Sequence, residues 1–178
     1  MSALEPVGPG FRLADVDPDA TPGIDRAHAE RELTDSADEL SDLQERLYAD
    51  AKVGGTRSVL LVLQGIDTAG KGGIIRHVVG LVDPQGVRIT AFKAPTPQER
   101  AHDFLWRIRR ALPEPGLIGV FDRSHYEDVL IHRVRGLSPL EVVEQRYGII
   151  RDFEAGLVAG ATLVRKVMLQ ISRDEQRK

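Results

Sequence analysis

Apolar runs of strand length alternate with helix-like stretches along most of the chain. The runs predict four strands, at Ser58–Gln64, Val87–Phe92, Leu117–Phe121 and Thr162–Ile171. Helical periodicity predicts helices between them, over Lys71–Val82, from Thr96 onwards and up to Ala159. Because strands that alternate with helices form parallel sheets covered on both faces, we expect a three-layer α/β fold.

The segment before the first strand has a different pattern. Residues 1–23 are rich in proline and predict an irregular arm. Residues 24–56 predict an amphipathic helix, in which Leu33, Leu40 and Leu47 recur at helical spacing. Packing of this stripe against its own domain is the favoured interpretation, and packing against a second subunit is the alternative. Residues 57–171 then form the predicted core domain.

Helix-capping patterns mark three helix starts. Each has Ser or Thr followed three residues later by Glu, at Thr96–Glu99, Ser138–Glu141 and Ser172–Glu175. The third opens a helix at residues 172–178 that the chain does not complete, and so short a helix is not stable alone in water. We therefore expect a fragment of a longer protein, with a fold that is incomplete at its C-terminus.

Composition narrows the classes of function. A chain of 178 residues with 42% hydrophobic and 29% charged residues is typical of one soluble domain. Its net charge of −3 disfavours nucleic acid and anionic membranes as partners. No cysteine is present, and no apolar run approaches the roughly 20 residues of a spanning helix. Since the first residues also lack a signal-peptide pattern, we expect a cytoplasmic protein.

A glycine loop follows the first strand directly. Its sequence, Gly-Ile-Asp-Thr-Ala-Gly-Lys-Gly at residues 65–72, lies between a strand and a helix, as in loops that bind phosphate with backbone N–H groups and a lysine. A phosphate loop is strongly favoured over a merely tight turn. The predicted phosphate ligands are Gly65, Thr68, Ala69, Gly70, Lys71, Gly72 and Gly73.

Two features of this loop are unusual for a phosphate site. Asp67 adds a carboxylate, which would repel phosphates unless a metal or an incoming acceptor needs it. Gly72 occupies the position at which Ser or Thr normally binds Mg²⁺. The metal therefore requires other oxygens, and Asp67 is the nearest candidate ligand.

A second candidate cluster ends the third strand. Asp122 can bind Mg²⁺ beside the glycine loop, although an Asp at this position can also simply cap the following loop. Arg123 can hold phosphate oxygens or form a surface ion pair, and the residues alone favour neither. Lys93 and Arg133 could contribute to a basic rim for an extended phosphate chain, although such residues are more often surface charges.

Several motifs occur in a specific order along the chain. They are the glycine loop at 65–73, Phe-Lys-Ala-Pro-Thr-Pro-Gln-Glu at 92–99, Phe-Leu-Trp-Arg at 104–107, Phe-Asp-Arg-Ser-His-Tyr-Glu-Asp-Val-Leu at 121–130, Phe-Glu at 153–154 and Gln-Ile-Ser-Arg-Asp-Glu-Gln at 170–176. This set resembles the polyphosphate kinase 2 family, from about Ala29 to the C-terminus. The resemblance implies a P-loop kinase-like fold and phosphate transfer from inorganic polyphosphate to nucleoside mono- or diphosphates, with Mg²⁺, in a homo-oligomer.

The resemblance also implies roles for individual residues. Asp67 would activate or orient the acceptor phosphate, partly through the metal, and Asp122 would hold Mg²⁺. Lys71 and Arg123 would neutralise charge on the transferred phosphoryl group. Two further basic residues match positions near the phosphate path of the family, Lys93 and Arg133.

The family continues past this chain with a helical lid that carries arginines. Arg173 and Arg177 correspond at most to the first turn of that lid. Because losing arginine contacts to a transition state can slow a reaction by about 10³ or more, we expect weak phosphate binding and slow turnover. The alternatives are an ATP-dependent nucleoside or nucleotide kinase, and an inactive interaction module left by truncation.

Overall fold

The computed structural model of this chain describes residues 7–20 and 23–177. The arm predicted at 1–23 lies partly outside these ranges, and its described part is largely exposed, with one 3₁₀ turn at Leu13–Asp15. Within the described ranges, no helix combines the length and the apolar character that crossing a membrane requires.

Four parallel strands form one sheet, whose spatial order is second, third, first and fourth strand. Their bounds are Ser58–Gly65 (β1), Val87–Ala91 (β2), Ile118–Asp122 (β3) and Thr162–Leu169 (β4). The predicted parallel sheet is therefore confirmed, and each strand lies close to its expected bounds. β1 and β3 are the central strands and carry most of the buried positions, which is why they appear in the sequence as continuous apolar runs.

Helices accompany the sheet, and short 3₁₀ turns at Val79–Leu81 and Pro84–Gly86 precede β2. The helices are Arg26–Asp35 (α1), Ala37–Lys52 (α2), Lys71–His77 (α3), Pro97–Arg100 (α4), Trp106–Ala111 (α5), Glu127–Arg135 (α6), Leu140–Ala159 (α7) and Arg173–Gln176 (α8). The helix predicted over 71–82 is therefore shorter than expected, because its last residues form a 3₁₀ turn instead.

Polar side chains break two of the predicted helices. The helix expected over 24–56 is interrupted at Ser36, just after Thr34, whose hydroxyl donates to the carbonyl four residues earlier (2.9 Å) and competes with the helical pattern. The helix predicted after β2 stops early and restarts after Asp103, whose carboxylate accepts from the N–H of Leu105 (3.0 Å). Local hydrogen bonds thus override the apolar periodicity.

The three predicted helix caps have different outcomes. Thr96 and Glu99 form a reciprocal capping box, with bonds of 3.2 and 2.6 Å. The hydroxyl of Ser172 likewise accepts a backbone N–H of α8 (3.1 Å). The cap predicted at Ser138 is wrong, because the hydroxyl bonds to Nδ1 of His132 (2.8 Å) and a proline occupies the N-cap position of α7.

The main core lies between the sheet and helices α5 and α7. Its buried members are Leu60, Val62, Phe92, Leu105, Ile108 and Phe121. A second cluster joins α6 to α7 through Val129, Val143 and Ile150. Each large side chain that is removed from water stabilises the fold by about 1.5–3 kcal/mol, so the central strands and α7 form a firm support for the loops at the sheet edge.

α2 packs against its own domain, in agreement with the favoured interpretation of the leucine stripe. Its residue Gln44 is buried against Gly86, where a Cβ atom would lie 1.6 Å from the amide nitrogen of that side chain. Leu40 and Leu47 are half-buried on the same helix, whereas Leu43 is exposed. The helix therefore covers one end of the domain with a partly polar face.

Candidate active site

Parallel pairing of β1 with β3 brings the two predicted clusters together. Leu63 lies opposite Asp122, so the glycine loop and the segment that begins with Arg123 leave the same edge of the sheet side by side. The N–H of Phe92 donates to the carbonyl of Asp122 (3.0 Å), which brings the segment around Lys93 to this edge as well. Open parallel sheets bind ligands at their carboxyl edge.

The glycine loop turns tightly between β1 and α3. Thr68 adopts a φ of +71°, a left-handed conformation that is uncommon for a residue with a side chain. Gly65 cannot be replaced without movement, because its Cβ would lie 2.9 Å from the carbonyl oxygen of Leu169. The positions of Gly72 and Gly73 face open space, because among the described residues no atom beyond their chain neighbours and the backbone of α3 lies within 4 Å of a Cβ there. A ligand can therefore approach the backbone closely on that side.

Lys71 lies inside this loop rather than on its surface. Its side-chain nitrogen donates to the carbonyl oxygens of Gly65 (2.8 Å) and Ile66 (3.0 Å), and the residue is only 8% exposed. A buried ammonium with two carbonyl partners is well satisfied and has a third proton to donate. The ammonium is thus held within the glycine loop.

Asp67 and Arg123 meet across the gap between the two loops. The guanidinium of Arg123 donates to the carboxylate of Asp67, and this hydrogen bond is the main cause of a raised pKa of Arg123. The Asp67 side chain is 78% exposed and that of Arg123 36%, so solvent screens the pair and its contribution is at most about 1 kcal/mol. A phosphate or a cation can therefore separate them at little cost.

Asp122 carries an oxygen that is suited to a metal. Its Oδ1 is buried and has no hydrogen-bond partner among the residues that the structure describes, which is unusual for a buried carboxylate oxygen. In the part of the chain that the structure describes, no group of three acidic or histidine side chains could hold a metal ion. Mg²⁺ is typically bound by one or two carboxylates together with substrate phosphates and water, so Asp122 with Asp67 fits Mg²⁺ that arrives with its phosphates.

The two more distant basic residues have different surroundings. Lys93 is exposed, and its carbonyl accepts a hydrogen bond from Arg107 (2.7 Å), which fixes the backbone there. Arg133 lies in the last turn of α6, where it donates to Glu144 and approaches the ring of Tyr147 (5.7 Å) on α7. Lys93 therefore projects from the carboxyl edge of the sheet, while Arg133 is engaged with a neighbouring helix.

A cleft of about 420 Å³ extends from this edge along the outer side of β2. Its walls come from β2, the segment after it and α5. Four basic side chains line it, Arg88, Lys93, Arg107 and Arg110, together with Glu99 and Trp106. With one acid among four bases, the cleft attracts anions. The sequence indicated only Lys93 among these basic residues, because Arg88 on β2 is joined to Arg107 and Arg110 on α5 only by the fold.

Behind the two loops lies a polar cluster that sequence reasoning missed. Glu154 on α7 accepts hydrogen bonds from Tyr126 (2.8 Å) and Lys166 (2.6 Å) and lies 3.2 Å from Nε2 of His125. The signals in the sequence were the Phe-Glu pair at 153–154 and the His-Tyr pair within the motif at 121–130, none of which had an assigned role. Residues so far apart along the chain are joined only by the fold.

Comparison with known proteins agrees with this geometry. A sequence profile of the family described as Polyphosphate kinase 2 (PPK2) matches residues 23–178. The chain is 44% identical to an AMP/ADP-polyphosphate phosphotransferase of Meiothermus ruber, over 94% of this chain and 62% of the relative. It is also 44% identical to an ADP-polyphosphate phosphotransferase of Rhodopseudomonas palustris, over 86% of this chain and 56% of the relative.

The fold has a close counterpart among solved structures. The polyphosphate kinase 2 of Arthrobacter aurescens superposes with a TM-score of 0.93 at 54% sequence identity. That match covers 96% of this chain and 61% of the solved chain. The present chain thus spans about three fifths of the length of these three proteins.

Proposed function

Because this chain belongs to the polyphosphate kinase 2 family, we propose that it transfers a phosphoryl group from inorganic polyphosphate to a nucleoside mono- or diphosphate. The names of the relatives support these substrates, since they include AMP/ADP- and ADP-polyphosphate phosphotransferases. One observation carries the proposal: Asp67 lies in a phosphate loop, paired with Arg123, beside the unpartnered oxygen of Asp122. Carboxylates that can bind a metal ion, together with an arginine that can bind phosphate, suit a reaction between two phosphates.

The loop and its lysine bind the phosphate that is transferred. The backbone around Gly72 and Gly73 is open to a ligand, and Lys71 can supply its ammonium to the phosphate oxygens. An oxygen of the acceptor phosphate attacks the terminal phosphorus of the polymer, and the bridging P–O bond breaks. The polymer leaves one phosphate shorter, and the charge that develops is spread over the transferred oxygens.

The two carboxylates and Arg123 divide the remaining work. Asp122 and Asp67 are the residues that would hold Mg²⁺, which neutralises phosphate charge when it is bound. Arg123 leaves Asp67 and donates to oxygens of the transferred group, where a planar guanidinium can form two parallel hydrogen bonds. Opening of an exposed ion pair is the conformational step that this assignment requires.

The basic cleft beside β2 is a suitable place for the polymer beyond its terminal phosphate. Lys93 lies where the cleft meets the carboxyl edge, and Arg88 and Arg110 line the same cleft. Arg133 is assigned a secondary role at the rim, because its ion pair with Glu144 is also exposed and can open. We infer in addition a homo-oligomer, on the family resemblance, and a cytoplasmic location, on the sequence of the first residues. Sedimentation and cell fractionation test the two inferences.

The test is a donor comparison. The chain is incubated with Mg²⁺, polyphosphate and AMP, ADP, GDP or UDP, then with ATP as the only donor, and the nucleotide products are separated by chromatography. The Meiothermus ruber relative serves as the positive control. We expect products with polyphosphate. Products with ATP alone would identify an ATP-dependent kinase, and no product with either donor, while the control is active, would contradict the proposal.

A further inference from the structure

The backbone after β3 has an unusual conformation at the residue assigned to the transferred phosphate. Arg123 has a φ of +64°, in the left-handed region that residues with a side chain seldom adopt. A conformation of this kind costs free energy and persists only where the surrounding contacts enforce it. Each of the next three residues, Ser124, His125 and Tyr126, has a side-chain contact that can hold this backbone in place.

On one side, the segment is attached to β1. The N–H of Arg123 donates to the carbonyl of Leu63 (2.9 Å). The buried hydroxyl of Ser124 donates to the side-chain oxygen of Gln64 (3.2 Å), and Gln64 donates in turn to Glu127 at the start of α6. These contacts hold the first half of the segment against the strand that leads into the glycine loop.

On the other side, the segment is attached to α7 through a single carboxylate oxygen. Oε1 of Glu154 lies 3.2 Å from Nε2 of His125 and accepts a hydrogen bond from the hydroxyl of Tyr126 (2.8 Å). His125 is fully buried, and its ring meets that of Phe153 edge-on at 5.6 Å. Nδ1 of His125 has no hydrogen-bond partner among the described residues, so the contact with Glu154 is the hydrogen bond that the ring has there.

The second oxygen of this carboxylate has a separate partner. Lys166 on β4 donates to Oε2 of Glu154 (2.6 Å) and also to the hydroxyl of Tyr126 (2.8 Å). Burial alone would raise the pKa of Glu154, but hydrogen bonds from His125, Lys166 and Tyr126 together outweigh it and lower the pKa to about 2. The carboxylate is therefore ionised, and able to accept all three bonds, near neutral pH.

We propose that Glu154 is a positioning residue, which holds His125 and Tyr126 and thereby fixes the backbone of Asp122 and Arg123. Glu154 itself touches neither Asp67 nor Arg123, so it acts on them only through the segment 124–126. The part of this proposal that concerns catalysis rests on the proposed function. The part that concerns the backbone does not, and each part has its own measurement.

The backbone is tested by amide hydrogen exchange, measured by NMR without ligands. Glu154→Met removes both oxygens with little change in length. We expect the exchange of the Arg123 and Tyr126 amides to accelerate about tenfold or more, as loss of a hydrogen bond to a charged group predicts, while the amides of central β1 change little. The matched control is Asp152→Met, which removes an exposed carboxylate from the same helix.

Catalysis is tested by steady-state kinetics on the same variants. We expect Glu154→Met to lower kcat about 10- to 100-fold, as loss of a residue that supports a catalytic group does, with the KM for polyphosphate changed less than about twofold. Asp152→Met should match the unchanged chain. A fall in kcat without a rise in KM separates misplacement of Arg123 from loss of substrate binding.

Lys166 distinguishes positioning from simple charge balance. Lys166→Met leaves Oε1 of Glu154 free to hold His125 and Tyr126, so kcat should fall less than about threefold. The double variant Glu154→Met, Lys166→Met should remain as slow as Glu154→Met. If Glu154 only compensated the lysine, Lys166→Met would be as harmful as Glu154→Met, and the double variant would recover.

The outcomes are decisive for each part. Unchanged exchange at Arg123 and Tyr126 in Glu154→Met, or recovery in the double variant, overturns the proposal. Accelerated exchange with an unchanged kcat overturns its catalytic part. If the unchanged chain transfers no phosphate, the proposed function fails, and the exchange measurement still decides whether Glu154 holds the segment.

Discussion

The charged groups at the carboxyl edge of the sheet and the polar groups directly behind them are held in opposite ways. At the edge, Asp67 and Arg123 form an exposed pair, and Asp122 has an oxygen without a partner. Behind the edge, Glu154 is largely buried and bonds to three residues, two in the segment after β3 and one on β4. The groups assigned to the ligand are weakly paired, whereas both oxygens of the carboxylate behind them have partners.

Lys71 both supports the fold and is assigned to the ligand, so its replacement should have the largest effect. It is buried and bonded to two loop carbonyls, and it is also the cation assigned to the transferred phosphate. We expect Lys71→Met to lower kcat/KM by about 10³ or more. The same change should reduce the free energy of unfolding by about 1–3 kcal/mol, because the carbonyls of Gly65 and Ile66 lose their donor.

The measurements are transfer assays and urea denaturation. Arg76→Met is the control, since Arg76 lies on the same helix and is exposed. It should leave stability nearly unchanged and reduce activity far less. A Lys71→Met variant with normal stability would contradict the buried position of the ammonium.

Asp122→Asn should separate activity from stability. Because Oδ1 of Asp122 has no partner in the fold, replacing the carboxylate should change the free energy of unfolding by less than about 1 kcal/mol. Transfer should fall about 100-fold, and the Mg²⁺ concentration needed for half-maximal rate should rise. Denaturation and a Mg²⁺ titration check both statements. A variant that is strongly destabilised, or that keeps the original Mg²⁺ dependence, would contradict the assignment of Asp122 to the metal.

Asp67→Asn should act in two directions. Transfer with Mg²⁺ should fall roughly 10- to 100-fold, since a metal ligand near the acceptor is lost. Binding of tripolyphosphate without Mg²⁺ should instead become a few-fold tighter, because Arg123 no longer has to leave an ion pair worth up to about 1 kcal/mol. Calorimetry of tripolyphosphate binding and the transfer assay check the two halves. Transfer at the original rate would contradict a reaction in which the loop carboxylate joins two phosphates around magnesium.

The group behind the edge should be visible in the pH dependence of stability. The pKa of Glu154 is lowered from 4.5 to about 2, so its contribution is fully present above pH 4.5 and is lost as the pH falls towards 2. At about 1.4 kcal/mol per pH unit, this interval corresponds to roughly 3 kcal/mol of unfolding free energy. Urea denaturation between pH 2 and pH 6 should therefore decline less steeply for Glu154→Met than for the unchanged chain. Equal slopes would contradict the strong pairing of Glu154.

The same contrast explains how much the sequence could predict. The four strands, the glycine loop and the shared sheet edge of Asp67, Asp122 and Arg123 follow from local patterns, because parallel strands bring their carboxyl ends to one edge. The cluster around Glu154 joins residues from three elements and leaves no regular spacing along the chain. The break at Ser36 was missed for the opposite reason, since local side-chain bonds competed with a regular apolar stripe.

The smallest effect on activity is expected from the cleft beside β2, because the basic side chains replaced there are exposed and solvent screens their charges. Arg88 on β2 and Arg110 on α5 line this cleft. Arg109, the neighbour of Arg110 on α5, instead bonds to Asp103 (2.9 Å) and lies against Phe153, so it serves as the control. Replacing Arg88 and Arg110 together by Gln should raise the KM for long polyphosphate about three- to tenfold, because each exposed charge contributes at most about 1 kcal/mol.

Chain length is the control for that experiment. Tripolyphosphate is too short to occupy both the glycine loop and the cleft, so its KM should change little in the double variant. The difference between long and short donors should also diminish at high salt, since exposed charges are screened. Arg109→Gln should affect neither donor. If the double variant raises the KM for both donors equally, the two arginines contribute only to the overall electrostatic attraction of anions. That result would contradict a polymer path along β2.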